Sequence, residues 1–569
     1  MVQNFSQLPA EIMSFLFEHV RQFTPVLILC SWWLTEGYVD YQLPLPEIKA
    51  MSLCCRDLRG LALHYVYRSI ELNFAVARVS QTEASLQFLI AGGPSPVQHV
   101  QIITISGHKP NLTKASIELL RELLRKVDEL KEIRWDVRAR IPNAITEDLH
   151  ALWPNSRLRL RQFDGELETG VDHEPLVGSP CLFELHCFAG LTKRASSDNI
   201  KRIIFSCPNL RILDLSSLHS IYHPGPGYPF ELGPTDRLPP LQELRLKDFW
   251  CTPDQYKKWV QSIDWEALRH LSLQLSRFDS FLPLLRLHLP ELHSLEIQSL
   301  APVNNHPQTL SMVSSFLKMV PNLQTFSSHG FPPEILFQAA EYHGSHLQCL
   351  SWIGLDSGAE LMWNLPAASL KRLHPMLPEL RSLTISIDRS EDWPYDVVKE
   401  ISGFRKLCHL HLVAPPIDSY ATGSPLVYTP AACKQLFIYL DSNSRNDFSN
   451  EGSQNLETLD IEAGDWGLDP YSYYAWRRNP TNQYFKCSRR NGAVEERQQD
   501  HTDYEDCSES GGGTSALRES GIIVVDVREE QFQRELLDST SPDSKRRLDR
   551  ELRQRVMDAA RGIPHTSPI

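Results

Sequence analysis

The residues of this chain that could do chemistry are few, and their spacing matches no catalytic pattern. His409 and His411 lie on either side of Leu410, which would place both imidazoles on one face of a strand, as in half of a zinc site. No third ligand of a suitable type stands beside them. The chain also lacks the GxSxG, HExxH and GxxxxGK(S/T) motifs and has no GxGxxG after a strand. We therefore expect no catalytic residues, no cofactor and no metal ion, and interpret the protein as not an enzyme.

The elements that position these histidines are marked by a leucine repeat. The pattern Leu-x-x-Leu-x-Leu, often preceded by proline, recurs along the chain, for example as LRILDL at 210–215 and LQELRL at 241–246. Between Leu182 and Leu407 successive copies start 24 to 33 residues apart. A repeat of this length with this leucine spacing is typical of leucine-rich repeats, and its variable length indicates insertions in loops.

Each copy predicts a strand with two different faces. Alternate side chains of a strand point to opposite sides, so Leu213 and Leu215 would share a core that Asp214 does not face. Apolar residues at helical spacing in 309–320 and 333–342 predict helices that form the second layer. We expect an α/β leucine-rich-repeat solenoid, with parallel strands on its concave face and helices outside, preceded by a small all-α module. The alternative is that the leucines form the ordinary core of an α/β domain.

The polar residues of the strands predict a binding surface. They carry both signs of charge alternating with small polar groups and form no basic stripe, which suits a protein target better than a nucleic acid. The alternative for each residue is that it is only a solvated strand position. The residues expected to contact the target are Asp214, Arg245, Lys247, Glu296, His409, His411 and Asp460.

Composition agrees with a folded protein of reducing compartments. The 569 residues are 42% apolar, carry a net charge of −13 and include 12 cysteines without a CxxC pair. The last feature favours free thiols, and hence a cytoplasmic or nuclear location. We find no secretory signal, and the most apolar stretch, 25–34, is too short to span a bilayer, so we expect neither a membrane nor a nucleic acid as partner.

Residues 6–72 predict a compact helical module. Pro9 suits the first position of a helix and Glu11 its first turn, and an apolar face then runs from Ile12 to Val20. A second helix begins near Pro46 and has an apolar stripe at spacings of three and four residues, which includes Cys54 as a packing thiol.

This module resembles the F-box. The resemblance rests on Leu8-Pro9-x-Glu11-Ile12, on SLCCRDL at 52–58 and on the segment that ends in YRSIEL at 67–72. The family's module docks on the Skp-type adaptor of cullin–RING ubiquitin ligases. The insertion at 21–46 is longer than the usual connection between the helices. The resemblance implies these adaptor-binding residues: Leu8, Pro9, Glu11, Ile12, Phe15, Leu16, Leu53, Cys54 and Leu58.

The sequence therefore predicts five regions and a receptor function. The protein would be a non-catalytic substrate-recognition subunit of an SCF-type ubiquitin ligase, and the alternative is a leucine-rich-repeat scaffold unconnected to ubiquitin. The regions are an F-box-like module at 1–75 with the insertion at 21–46, degenerate N-terminal repeats at 76–180, the regular solenoid at 181–470, a polar and disordered linker at 471–520, and a strand with a charged helix at 521–569.

Overall fold

The structure is a computed structural model of the full chain. It describes residues 66–76, 78–91, 96–107, 110–137, 139–164, 174–189, 194–217, 232–247, 253–275, 281–285, 289–299, 307–354, 364–387, 393–414, 430–446, 456–463, 483–489 and 522–526. The residues implied in adaptor binding, from Leu8 to Leu58, lie outside this set. So do the insertion at 21–46 and the charged helix expected near the C-terminus.

The described residues fall into two compact units. The N-terminal unit comprises 66–188 and 206–209, and the C-terminal unit comprises 189–205 and 210–526. Each is built from strands that alternate with helices.

The N-terminal unit is a parallel sheet whose strands follow one another in chain order. Its strands are β1 (Ser69–Asn73), β2 (Ile102–Ser106), β3 (Glu132–Trp135), β4 (Arg157–Asp164) and β5 (Leu182–Ala189). Its helices are α1 (Val79–Ala91), α2 (Lys114–Lys126) and α3 (Asn143–Leu152), which contact one another in sequence order.

The parallel array begins earlier than the sequence suggested. The sequence predicts that the degenerate repeats begin at residue 76, but β1 lies before that residue and already pairs in register with β2. The YRSIEL segment, read as the end of the helical module, therefore supplies the first described strand.

The C-terminal unit continues the same strand–helix alternation. Its parallel strands are β6 (Ile212–Ser217), β7 (Glu243–Lys247), β8 (His270–Leu275), β9 (Ser294–Ser299), β10 (Thr325–His329), β11 (Cys349–Ile353), β12 (Ser382–Ser386), β13 (His409–Ala414) and β14 (Thr458–Ala463). Its helices are α4 (Arg194–Ser206), α5 (Pro253–Ser262), α6 (Pro307–Met319), α7 (Pro333–His343), α8 (Ala367–Leu373), α9 (Tyr395–Ile401) and α10 (Pro430–Asn446).

Two antiparallel strands follow β14. They are β15 (Gln483–Arg489), which pairs with β14, and β16 (Ile522–Asp526), which pairs with β15. The strand expected from the apolar run at 521–527 is thus present. The polar stretch 483–489 is also a strand, and its assignment to a disordered linker is wrong for these residues.

The leucines of the repeat form the core, which confirms the leucine-rich-repeat architecture. In β6 and β7 the register aligns Leu213 with Leu244 and Leu215 with Leu246, and all four side chains are buried. The helix expected over 309–320 is α6, which buries Val313, Phe316 and Leu317. Each repeat contributes the leucines of only one strand. Neighbouring repeats must therefore stack to exclude water from these side chains.

Candidate protein-binding surface

The strand residues that alternate with the core leucines form a polar face. In consecutive strands from β6 to β9 the register brings Asp214, Arg245, Ser272 and Glu296 side by side. The same row continues over β10 to β14 as Ser327, Ser351, Thr384, His411 and Asp460. We call this set of residues, with their neighbours two positions along each strand, the polar face.

A group of paired charges occupies the β6–β7 part of the polar face. Lys247 Nζ lies 3.1 Å from Asp214 Oδ2, and Arg245 Nη1 lies 4.0 Å from the same oxygen. Arg245 also forms an ion pair with Glu243 on its own strand, with Nε 2.5 Å from Oε1. Asp214 is buried and the Arg245 side chain is only 11% exposed, so these residues are not the freely solvated positions that strand alternation alone implied.

Lys247 is the accessible cation of this group. Its side chain is 36% exposed. Partial burial alone would lower the pKa of Lys247, but the negative charges of Asp214 and Glu296 raise it above its ordinary value. The ammonium is therefore charged, and Asp214 holds it in place.

The middle of the polar face carries small hydroxyls. Ser272 Oγ donates to Glu296 Oε2 at 2.9 Å, and Ser327, Ser351 and Thr384 follow in the same row, all with buried side chains. Short side chains leave a lower surface between the charged groups at either end. Spacing between strands of about 4.8 Å separates Glu296 on β9 from His411 on β13 by about 19 Å.

A group of histidines and carboxylates lies on the part of the polar face formed by β10 to β14. His411 Nε2 is 3.2 Å from Glu462 Oε2, and His329 Nε2 is 3.2 Å from Ser327 Oγ. Burial lowers the pKa of His329 to about 3, with a further contribution from His411. Burial alone would lower the pKa of His411 too, but Glu462 and Asp460 raise it above its ordinary value.

His409 faces the same side but has different partners. Its Nδ1 lies 2.9 Å from Thr458 Oγ1, and burial with the charge of Lys486 lowers its pKa to about 4. Within the described ranges, no group of three or more histidine, cysteine, aspartate or glutamate residues has the geometry to hold a metal ion.

The N-terminal unit has a charge network that the sequence did not reveal. Arg159 is 1% exposed, with Nε 3.1 Å from Glu132 Oε2 and Nη1 donating to Glu184 Oε2 at 2.8 Å. Glu184 Oε1 also contacts Arg161 Nε at 3.1 Å and His186 Nε2 at 2.8 Å. From the sequence alone the basic run 157–161 would be interpreted as a solvated strand edge, but Arg159 is buried, so that interpretation is wrong for it.

Burial acts to raise the pKa of two carboxyl groups in this network, but their net pKa shifts have opposite signs. Burial alone would raise the pKa of Glu184, but the hydrogen bond and charge of His186 and the charges of Arg161 and Arg159 hold it well below its usual range. The pKa of Asp136 is raised, because burial outweighs the charge of Arg161. The signals that could have identified this network are the acidic residue of β3 and that of β5, which lie 27 and 25 residues from Arg159.

The structure thus assembles most of the residues expected to contact a target, in two separate groups. Asp214, Arg245 and Lys247 form one group, with Glu296 two strands away. The second group contains His411 and Asp460, with His409 nearby. Sequence reasoning missed Glu243 and His329, and it placed Glu462 on the outward face without assigning it to the binding site. These residues determine the charge of the two groups.

No helix in the described part of the chain has both the length and the apolar character needed to cross a membrane.

Comparisons with known proteins found similarity only to solved structures. No protein-family model matches the chain, and no curated protein matches its sequence. The leucine-rich repeat-containing protein LegL7 from Legionella pneumophila aligns at 12% identity over 68% of this chain and 100% of its own, with a TM-score of 0.31. The leucine-rich-repeat ectodomain of the receptor kinase GASSHO1/SCHENGEN3 from Arabidopsis thaliana, solved in complex with CASPARIAN STRIP INTEGRITY FACTOR 2, aligns at 16% identity over 57% of this chain and 40% of its own, with a TM-score of 0.23. The fold assignment depends instead on the strand register and the buried leucines.

Proposed function

We propose that this protein is a non-catalytic receptor that binds a protein target through the polar face of its sheet. The observation that carries the proposal is the fixed arrangement of paired charges on that face, above all the partly exposed Lys247, which lies 3.1 Å from Asp214. Charges that are already positioned lose little conformational entropy when a partner binds, and they select partners by charge complementarity.

The composition of the polar face favours a protein over a nucleic acid. Cations such as Lys247 and Arg245 are matched by Asp214, Glu243 and Glu296, so the face offers no continuous positive track for phosphates. Neighbouring serine, threonine and glutamine side chains can both donate and accept hydrogen bonds, as the rim of a protein interface requires.

The finer proposal is that the receptor serves an SCF-type ubiquitin ligase. It is supported by the resemblance of Leu8-Pro9-x-Glu11-Ile12 and of 52–58 to the F-box. The N-terminal module would bind the Skp-type adaptor, and through it a cullin–RING ligase, while the polar face holds the target. Tethering would raise the effective concentration of the target's lysines near the transferring enzyme, with no catalysis by this chain.

The location proposed for this complex is the cytoplasm or the nucleus. The cysteines that the structure describes are thiols and not disulfides, and most of them are buried. Burial raises the pKa of Cys408 to about 11, which disfavours the reactive thiolate.

Mass spectrometry of proteins that co-purify with the full chain tests the finer proposal. Adaptor and cullin peptides are expected, and their loss is expected when the F-box-like residues are changed. A scaffold unconnected to ubiquitin would retain its target and yield no adaptor or cullin.

A further inference from the structure

A register shift in the N-terminal unit leaves one aromatic residue without a counterpart on the next strand. Leu158 pairs with Leu182 and Arg159 pairs with Glu184, so Phe183 is an extra residue on β5. Such β-bulges disrupt the ladder locally and redirect a side chain. The Phe183 side chain is half-buried, and its environment is therefore not that of a core residue.

Two guanidinium groups lie against the ring of Phe183. The Cζ atom of Arg157 is 4.7 Å and that of Arg159 is 5.5 Å from the ring centroid, both within cation–π distance. Their surroundings differ. Arg159 is buried between Glu132 and Glu184, whereas Arg157 is exposed.

Arg157 differs from the other described arginines of β3 and β4 in having no acidic partner among the described residues. Arg134, Arg159 and Arg161 each contact a carboxylate within 4 Å, and no acidic side chain in the described part of the chain does so for Arg157. Its guanidinium is instead held beside an aromatic ring, where its N–H groups remain available to solvent. A planar guanidinium in a fixed position suits bidentate recognition of a carboxylate.

We propose that Arg157 and Phe183, the Arg157–Phe183 patch, form a docking site for an acidic segment of a protein partner. A carboxylate of that segment binds Arg157, and an adjacent apolar side chain packs on the accessible part of Phe183. This inference rests on the proposed function, since it assigns a partner chemistry to the receptor. The chain's net charge of −13 disfavours non-specific attraction of acidic peptides, so their binding requires a local site of this kind.

Fluorescence anisotropy with the full chain and a labelled synthetic decapeptide tests the patch. The probe alternates Asp or Glu with Leu or Ala, and its control is the same peptide with Asn and Gln in place of the acids. We expect binding of the acidic peptide only, weakening as salt rises. Arg157→Gln should weaken it about tenfold, because a charge-assisted hydrogen bond is lost. Arg157→Lys keeps the charge without the planar fork and should give an intermediate affinity.

Two further variants test whether binding depends on the Arg157–Phe183 patch itself or only on the overall charge of the unit. Lys114→Gln removes one exposed positive charge from α2 of the same unit and should leave the affinity unchanged. Phe183→Leu removes the ring beneath Arg157 and should weaken binding while the thermal melt stays cooperative.

The proposal fails if the acidic and amide peptides bind equally, if neither binds, or if Arg157→Gln binds like the unmodified chain. Tighter binding of a single-stranded RNA decamer than of the acidic peptide would also overturn it. Adaptor co-purification, measured separately, reports on the ubiquitin-ligase proposal, so failure of one is distinguishable from failure of the other.

Discussion

Arg159 and Glu184 form a buried ion pair across β4 and β5, with Nη1 donating to Oε2 at 2.8 Å. Both side chains are almost inaccessible, and Glu132 on β3 supplies a second carboxylate at 3.1 Å. One arginine therefore joins three neighbouring strands of the N-terminal unit. A buried pair is costly to desolvate, and removing only one of its partners leaves the charge of the other buried and uncompensated.

Arg159→Met is expected to destabilise the chain by about 3–5 kcal/mol, because Glu132 and Glu184 remain buried with reduced compensation. Urea denaturation followed by circular dichroism measures the loss. Adding Glu184→Gln to Arg159→Met should reveal a coupling energy of about 0.5–3 kcal/mol, since the two groups contact each other.

Arg125→Met is the matched control for Arg159→Met. Arg125 pairs with Asp148 at 3.3 Å, but its side chain is 48% exposed. Screening by solvent limits such a surface pair to about 1 kcal/mol or less. Equal losses for the two methionine variants would show that Arg159 is not a buried link.

The core row of the C-terminal unit gives a second prediction. Leu244 is fully buried between Leu213 and Leu271, so Leu244→Ala should leave a cavity and cost about 2–5 kcal/mol. Lys257→Ala is the control, since its side chain is 59% exposed and its loss should change stability by no more than about 0.5 kcal/mol. Equal losses of thermal stability in the two variants would contradict the burial of Leu244 in the repeat core.

The sequence was sufficient to predict this core because its signal is local. Leu244 and Leu246 stand two residues apart, and that spacing alone assigns both to one face. It was not sufficient for Arg245. Strand alternation alone would make Arg245 a solvated outward residue, but its side chain is 11% exposed and paired with Glu243 and, at 4.0 Å, with Asp214.

Interactions between repeats account for the other errors. Arg159 was read as solvated because the acids that neutralise it come from other strands, and only the register brings them together. The bulge at Phe183 likewise depends on how β5 aligns with β4. The strand at 483–489 has apolar residues only at alternate positions, where Phe485 and Cys487 are buried, and its pairing with β14 depends on contacts that the local sequence does not show.

Ser328 and Trp352 give a third prediction. They are opposite each other in β10 and β11, on the core side, where Ser328 occupies a position that Ile297 fills in β9. The Ser328 hydroxyl is buried and has no hydrogen-bond partner in the described part of the chain, while Trp352 Nε1 donates to the Phe331 carbonyl at 3.0 Å. Ser328→Ala should stabilise the chain by about 1 kcal/mol by removing an unsatisfied group. Ser328→Leu should destabilise it by about 1–3 kcal/mol by overpacking against the indole.

The neighbouring serine is the control for Ser328→Ala in the same denaturation experiment. Ser327 lies on the polar face, and its Oγ is 3.2 Å from His329 Nε2. Ser327→Ala should therefore destabilise the chain by about 0.5–1.5 kcal/mol, the opposite sign. Destabilisation by Ser328→Ala would instead mean that its hydroxyl has a partner.

The buried histidines predict a loss of stability in mild acid. The pKa of His329 is lowered from 6.5 to about 3, so it is neutral in the folded chain at pH 5 but protonated in the unfolded chain. The unfolded state then binds more protons, so the contribution is complete above pH 6.5 and is lost progressively as the pH falls towards 3. Between pH 7.5 and 5 this one group should remove about 2 kcal/mol.

His329→Asn should flatten the pH dependence of the unfolding free energy, measured by urea denaturation at pH 7.5 and 5. His346→Asn removes an exposed imidazole and should leave most of the dependence in place. His411 acts in the opposite sense, because its raised pKa stabilises the fold below pH 6.5 and that stabilisation is lost as the pH rises through its folded value. If the unfolding free energy falls by the same amount between pH 7.5 and 5 with and without His329, the role assigned to His329 is refuted.

The last prediction separates a ubiquitin-ligase receptor from a scaffold. Leu8→Ala with Pro9→Ala changes the F-box-like module in the full chain and leaves β1, which begins at Ser69, intact. A receptor variant should lose the adaptor and still bind its target, because the repeats contact mainly their neighbours. The target should then persist longer in cells that express this variant than in cells with the unmodified chain. Charge reversal of Lys247 to Glu in the same background is the control, since it should weaken target binding by opposing the charge of the partner. Retained adaptor binding would refute the F-box assignment, and an unchanged target half-life with the adaptor lost would favour the scaffold.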